Sequence, residues 1–193
     1  MGAGVVGGPR YATTGRVWPI PATERPALVR RLAAALRPVA EHAEASGVRL
    51  AIEPLNRYET SVLNTVAQAL EVVEAVDSPA CGLLLDTYHM NIEERDLGEA
   101  VRAAGSRLFH FHACANDRGA PGADHIDWPA LAGALAAIGK GGAVSIESFT
   151  GENQAIARAA SIWRPLAASQ DAIATEGLRF LRSQLGARLR RSS

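Results

Sequence analysis

The stretch VRLAIEPLNRYE, residues 48–59, decides the fold. Val48, Leu50 and Ile52 alternate with Arg49 and Ala51, and the run stops at Glu53 and Pro54. That is the pattern of a buried strand delivering a carboxylate at its C-terminal end. Taken alone, Glu53 reads as a rim acid paired with Arg57 or solvated, since such carboxylates are common at protein surfaces. Three later segments repeat the pattern. GLLLD (82–86) ends in Asp86, LFHFHA (108–113) carries His112 near its end, and GAVSIE (142–147) ends in Glu147. In LFHFHA the alternation puts Phe109 and Phe111 on one face and His110 and His112 on the other.

Helical periodicity fills the gaps. Residues 21–46 read as a helix with Thr23 as N-cap and Leu28, Leu32, Leu36, Val39 and Ala43 recurring at helical spacing, ended by Gly47. A second helix starts at Asn64 or Thr65, turns Ala69, Val72, Val73 and Val76 inward, and stops at Ser78-Pro79. Shorter helices are expected over 97–104 and 128–138, and two more in the tail, over 153–163 and 175–189. Val5 and Val6 mark a short strand ahead of the first helix, followed by a loop rich in glycine and proline.

Strands alternating with helices imply right-handed βαβ units and a parallel sheet, with chemistry gathered at the carboxyl ends of the strands. An open doubly wound sheet would call for a phosphate loop or dinucleotide fingerprint, and GVVGGP (4–9) has neither the glycine pattern nor an immediate helix. A (β/α)8 barrel of the TIM type accounts better for one polar side chain per successive strand end. The whole of residues 1–193 is read as one such domain.

Composition narrows the partners. The 20 basic and 20 acidic residues cancel, so no broad footprint for nucleic acid or an anionic membrane is expected. Cys81 and Cys114 lie far apart without zinc-type spacing, which argues against a disulfide framework and fits a reducing, cytoplasmic compartment. No apolar run reaches the ~18 residues that span a bilayer. Association into a homo-oligomer is left open by the sequence.

Glu53, Asp86, His112 and Glu147 together offer three carboxylates and one imidazole, a hard donor set. Such a set suits Mn²⁺, Mg²⁺ or Co²⁺ better than structural zinc, which prefers thiolates; Mn²⁺ is the first expectation. An open divalent ion chelating a sugar's carbonyl and neighbouring hydroxyl acidifies the C–H beside the carbonyl. Glu53 and Glu147, from the first and last of these four strands, form the natural pair for general acid–base work on that proton.

These residues sit in motifs that resemble the xylose isomerase-like barrel superfamily, and within it the ketose 3-epimerases acting on D-tagatose and D-psicose. The motifs are EPLNRYE (53–59), LDTYHMNIEE (85–94), HFHACANDR (110–118) and IESF (146–149), and the resemblance runs from about residue 5 to residue 181. It implies metal ligation by Glu53, Asp86, His112 and Glu147, proton transfer by Glu53 and Glu147, and sugar hydroxyls held by Glu59, His89 and Arg118. Locally, His89 follows Asp86 closely enough to reach the same mouth, and Arg118 is a multidentate donor in a strand-end loop. Asn56, Asn91, Asn116 and Asp117 read as loop-fixing residues, His110 as a core histidine deeper on the strand, and Trp18 as either pocket cover or core.

Five strands are legible where a complete barrel has eight and ~250 residues. By motif order they match the last five, so a truncated gene model or a fragment is expected, with Met1 as an internal start; an open remnant would expose two edges and an apolar interior. A natural short form closing by association is the alternative. Competing functions are an aldose–ketose or hydroxypyruvate isomerase using the same groups, and a non-catalytic metal-binding remnant. An endonuclease of the same superfamily would need more histidine ligands and a basic face, against five His and zero net charge.

Overall fold

A computed structural model describes residues 2–15 and 17–186. Five strands, β1 (Val5–Gly8), β2 (Arg49–Ile52), β3 (Cys81–Asp86), β4 (Leu108–Ala113) and β5 (Val144–Ile146), pair in chain order and all in parallel. Helices α1 (Arg25–Ala45), α2 (Val66–Val76), α3 (Thr87–Glu93), α4 (Leu97–Ala104), α5 (Trp128–Ala137), α6 (Gln154–Ala159) and α7 (Gln170–Leu185) connect and flank them. The result is an incomplete TIM barrel. Consecutive parallel strands each followed by a crossover are how such a barrel is wound.

The outer face of the sheet carries the main core. Leu50, Ile52, Leu83, Leu85 and Phe111 pack with Leu36 and Ala40 of α1, Val72, Val73 and Val76 of α2, Val101 of α4 and Leu131 and Leu135 of α5, nearly all fully buried. Each buried aliphatic side chain contributes ~1.5–3 kcal/mol, enough to fix strand register, because a slip by one residue would turn this set to the other face. On the inner face a smaller cluster joins Ala51, Leu84 and Phe109, with Val5 against it. Gly7 packs closely there: a Cβ would come within 2.6 Å of Leu84 Cδ1, and that side chain would have to shift.

Helix ends follow the expected chemistry in most places. Thr65 caps α2 by accepting from Gln68 N–H, Asp127 caps α5 by accepting from Ala130 N–H, and Gly47 takes φ 66° to leave α1. Several expectations change. Thr23 does not cap α1; it lies in a 3₁₀ turn, Ala22–Glu24, and the N-cap residue Glu24 makes no side-chain cap bond. Val39 is 49% exposed, and Ala40 takes the buried position beside Leu36. The last helix begins at Gln170, because Ser169 caps it through Ala172 N–H; its expected end at 189 lies outside the described residues. The tail helix expected over 153–163 is shorter, ending at Ala159, and Ser161 adopts φ 53° just beyond it.

The two phenylalanines of β4 do not share a face. Register slips between Leu83 and Leu84, where Leu83 pairs with Leu108 but Leu84 pairs with His110. The bulge turns Phe109 into the inner cluster while Phe111 stays in the outer core. It also sets Asp86 opposite His112 at the strand ends. Both cysteines are free and buried, and among the described residues no helix is long and apolar enough to cross a membrane.

Candidate active site and metal centre

Side-chain alternation makes Ala51 and Glu53 share one side of the β2 end, as Leu84 and Asp86 share one side of β3, so the inner face that is apolar below becomes acidic at its carboxyl rim. There Glu53, Asp86, His112 and Glu147 each offer a donor atom, and these atoms all lie within 4.8 Å of one another. Glu53 and Asp86 are buried, at 5% and 1% exposure. Two donors face inward without a hydrogen-bond partner: Glu53 Oε1 and His112 Nδ1. His112 Nδ1 stands 3.2 Å from Glu147 Oε2 and 3.8 Å from Glu53 Oε1, close enough for attraction but without hydrogen-bond geometry. Buried polar atoms are rarely left so, and a hard divalent cation is the species these oxygen and nitrogen donors fit.

Electrostatics point the same way. Burial raises Glu53 to about 9, and the neighbouring Glu147 and Asp86 charges push in the same direction. Burial also raises Asp86, partly offset by Arg118. Burial would raise Glu147 too, but His112 and Asp86 outweigh it and hold Glu147 well below the usual carboxylate range. Three carboxyls packed this closely cannot all be charged without added positive charge.

Part of that charge comes from Arg118, a 5% exposed residue held at φ 70° in the loop after β4. Its Nη1 donates to Asp86 Oδ2 at 2.6 Å and to Glu147 Oε2 at 3.2 Å, and its guanidinium lies over the Tyr88 ring at 4.1 Å. A non-glycine residue in this backbone region is uncommon and needs surrounding contacts to hold it there. Phe149 N–H donates to the Arg118 carbonyl, tying this loop to the segment that carries Glu147.

Asp86 has a second role that its sequence position hides. Its Oδ1 accepts Tyr88 N–H at 2.8 Å and caps α3, a helix that no periodic apolar run marks in the sequence. That helix brings His89, 2% exposed, to the site, with Nε2 4.0 Å from Glu53 Oε1. Burial and the Arg118 charge lower His89 to about 3, so it is neutral near pH 7. Glu59 stands on the other side of Asn56, whose Nδ2 donates to Glu59 Oε1 at 3.0 Å and faces His89 Nδ1 at 2.9 Å. Asn56 fixes its loop as expected, its Oδ1 accepting Tyr58 N–H at 2.9 Å, and at 1% exposure it also reaches the site.

A cavity of about 300 Å³ opens beside the cluster, lined by Glu53, Glu59, His89, Arg118 and Glu147 with Leu55 and Phe149. Thr14 and Pro9 of the first loop reach it; Trp18 does not line it and is 48% exposed, neither cover nor core. The cavity between Ile146 and Ile173 has no titratable group in its lining. Arg57 pairs with Glu93 at 3.0 Å rather than with Glu53, which removes the rim-pair reading of Glu53. His110 bonds Ser145 Oγ at 2.9 Å, deeper on the strand. His125 meets Asn91 Oδ1 at 3.0 Å.

Fold and site thus define an incomplete parallel β/α barrel with an acidic metal-type centre at its strand ends. Comparison with known proteins agrees: a family model described as xylose isomerase-like TIM barrel matches residues 1–184, and the chain belongs to that family. It is 47% identical over 152 residues to a probable ketose 3-epimerase of Synechocystis sp., covering 79% of this chain and 53% of the relative. To the L-ribulose 3-epimerase of Mesorhizobium japonicum it is 41% identical over 153 residues, 78% of this chain and 52% of the relative. A crystal structure of D-psicose 3-epimerase with D-tagatose from Clostridium cellulolyticum H10 superposes with TM-score 0.84 at 34% identity, covering 94% of this chain and 64% of that one. The chain spans about half the length of the curated relatives it matches.

Proposed function

We propose that this chain carries the catalytic strand ends of a metal-dependent ketose 3-epimerase acting on a free ketose. The observation that carries the reading is the convergence of four donors from successive strand ends within 4.8 Å, with Glu53 Oε1 and His112 Nδ1 unpartnered among them. Its relatives' names, which are ketose, L-ribulose and D-psicose 3-epimerases, supply the substrate class. Glu53, Asp86, His112 and Glu147 would hold the ion, with Mn²⁺ preferred and Co²⁺ or Mg²⁺ acceptable to the same hard donors. When bound, a divalent ion lowers the pKa of the C–H beside a chelated carbonyl.

The protein's own residues do the rest. One carboxylate of the Glu53 and Glu147 pair takes the C3 proton and the other returns a proton to the opposite face of the planar carbon, which inverts it. Two acids are needed because a single base would return the proton to the face it came from. Glu59 and His89 hold hydroxyls of the sugar, and Arg118 donates to its oxygens; all three line the same cavity. The small size of that cavity, with charged groups set against an apolar wall of Leu55 and Phe149, supports a free sugar rather than a nucleic acid. Buried free thiols at Cys81 and Cys114 accord with a cytoplasmic setting.

The test is solvent exchange. In D₂O with Mn²⁺ and D-fructose or D-tagatose, using a protein that includes a complete barrel around these strands, deuterium should enter C3 and the C3 epimer should form. E147Q should abolish the exchange. Tight Mn²⁺ binding with no exchange and no epimer from any free ketose would overturn the epimerase reading in favour of a metal-binding role.

A further inference from the structure

We infer that Asn56 is a positioning residue: it holds His89 as the neutral tautomer whose proton is on Nε2, so that the ring donates to the sugar while Glu59 beside it accepts. The inference deepens the proposed function and takes its substrate from that reading. It stands on hydrogen-bond geometry alone.

The amide orientation of Asn56 is dictated by its neighbours. Tyr58 N–H, a donor only, lies 2.9 Å from Asn56 Oδ1, and Glu59 Oε1 lies 3.0 Å from Nδ2. Exchanging the two amide atoms would set an NH₂ against the Tyr58 N–H and a carbonyl against a carboxylate oxygen. Nδ2 therefore is the atom that faces His89 Nδ1, at 2.9 Å, and the backbone N–H of Asn56 reaches the same nitrogen at 3.1 Å. Two donors converge on Nδ1, one of them a main-chain N–H that cannot rotate away, so Nδ1 must carry a lone pair. Nε2 then carries the proton.

His89 lines the cavity, and its Nε2 stands 4.0 Å from Glu53 Oε1. The nearest polar neighbour of Nε2 is Arg118 Nη2 at 3.0 Å, also a donor. The opposite tautomer would relieve this one contact but create two donor conflicts at Nδ1, one of them with a main-chain N–H. Nε2–H is therefore a donor matched to an incoming acceptor oxygen. One buried amide thereby sets both polarities: His89 donates and Glu59 accepts, the arrangement that suits a hydroxyl on each.

The tautomer is read directly by long-range ¹H–¹⁵N correlation spectra of the uniformly ¹⁵N-labelled chain, with His89 assigned by comparison with H89Q. The expected pattern is a bare Nδ1 and a proton-bearing Nε2 in the unsubstituted protein. N56D replaces the side-chain donor by an acceptor and leaves the main-chain N–H as the one residue-56 donor at Nδ1, so the fraction of rings carrying the proton on Nδ1 should rise. A proton-bearing Nδ1 in the unsubstituted protein would overturn the assignment, and an unchanged ring in N56D would overturn the role of Asn56. Should N56D fail to fold, the spectrum of the unsubstituted protein still decides the tautomer. No sugar is present in these samples, so the outcome stands apart from that of the epimerisation assay.

Discussion

Raising the pH should weaken the ion-free protein while strengthening its hold on a divalent cation, and Glu53 is the cause. Its carboxyl is pushed up to about 9 from an ordinary 4.5, chiefly by burial. A carboxyl raised in the folded state contributes stability that is complete below the unfolded pKa and is lost as pH rises through the folded one. Asp86, also raised, acts in the same sense. His89, lowered to about 3 from 6.5, acts oppositely, but its contribution is complete above 6.5. From about pH 7 to about pH 8.5 the Glu53 effect is therefore uncovered, and each pH unit should remove up to about 1.4 kcal/mol, roughly 2 kcal/mol across the window. Over the same window one proton must leave for each ion bound, so apparent Mn²⁺ affinity should rise about tenfold per pH unit. Denaturant unfolding in the presence of chelator measures the first slope, and calorimetry in buffers of different ionisation enthalpy counts the proton. E53Q should flatten the stability slope and lose the proton release. A pH-independent Mn²⁺ affinity with no proton released would refute the reasoning.

Other perturbations follow from the same geometry. R118Q removes the cation that bonds Asp86 at 2.6 Å and Glu147 at 3.2 Å, and should destabilise the ion-free chain by about 3 kcal/mol, with most of it restored by Mn²⁺ in a melting experiment. G82A puts a Cβ within 2.5 Å of the Arg107 carbonyl oxygen and 2.6 Å of the Phe109 ring, and should cost about 1–3 kcal/mol in chemical unfolding by displacing the strand that ends in Asp86. H89Q and E59Q, tested in a protein with a complete barrel, should raise KM for the ketose more than they lower the Mn²⁺ affinity.

Much of this was legible in the chain because strands buried on both faces make polar ends conspicuous. β4 and α4 fall on the expected residues, and all four strand-end donors converge, since alternation and parallel register leave them few alternatives. What stayed hidden depended on contacts between distant segments. The bulge that splits Phe109 from Phe111 is a register event between β3 and β4, invisible to a period-2 pattern. α3 has only seven residues, and its start is set by Asp86, which the sequence offered as a strand end rather than a cap. Asn56 looked like an ordinary loop amide because its partners, Tyr58, Glu59 and His89, are split between its own loop and the helix after β3. One signal could have marked it: an asparagine three residues before an acid already suspected of binding sugar is placed to turn that acid.

The central claim, that four strand ends form a divalent metal centre, is tested most directly by anomalous diffraction from crystals grown with Mn²⁺. A single anomalous peak in contact with Glu53, Asp86, His112 and Glu147, with Glu53 Oε1 and His112 Nδ1 no longer unpartnered, is the predicted result. A peak elsewhere on the chain, or none at saturating Mn²⁺ with the four side chains unmoved, would contradict it.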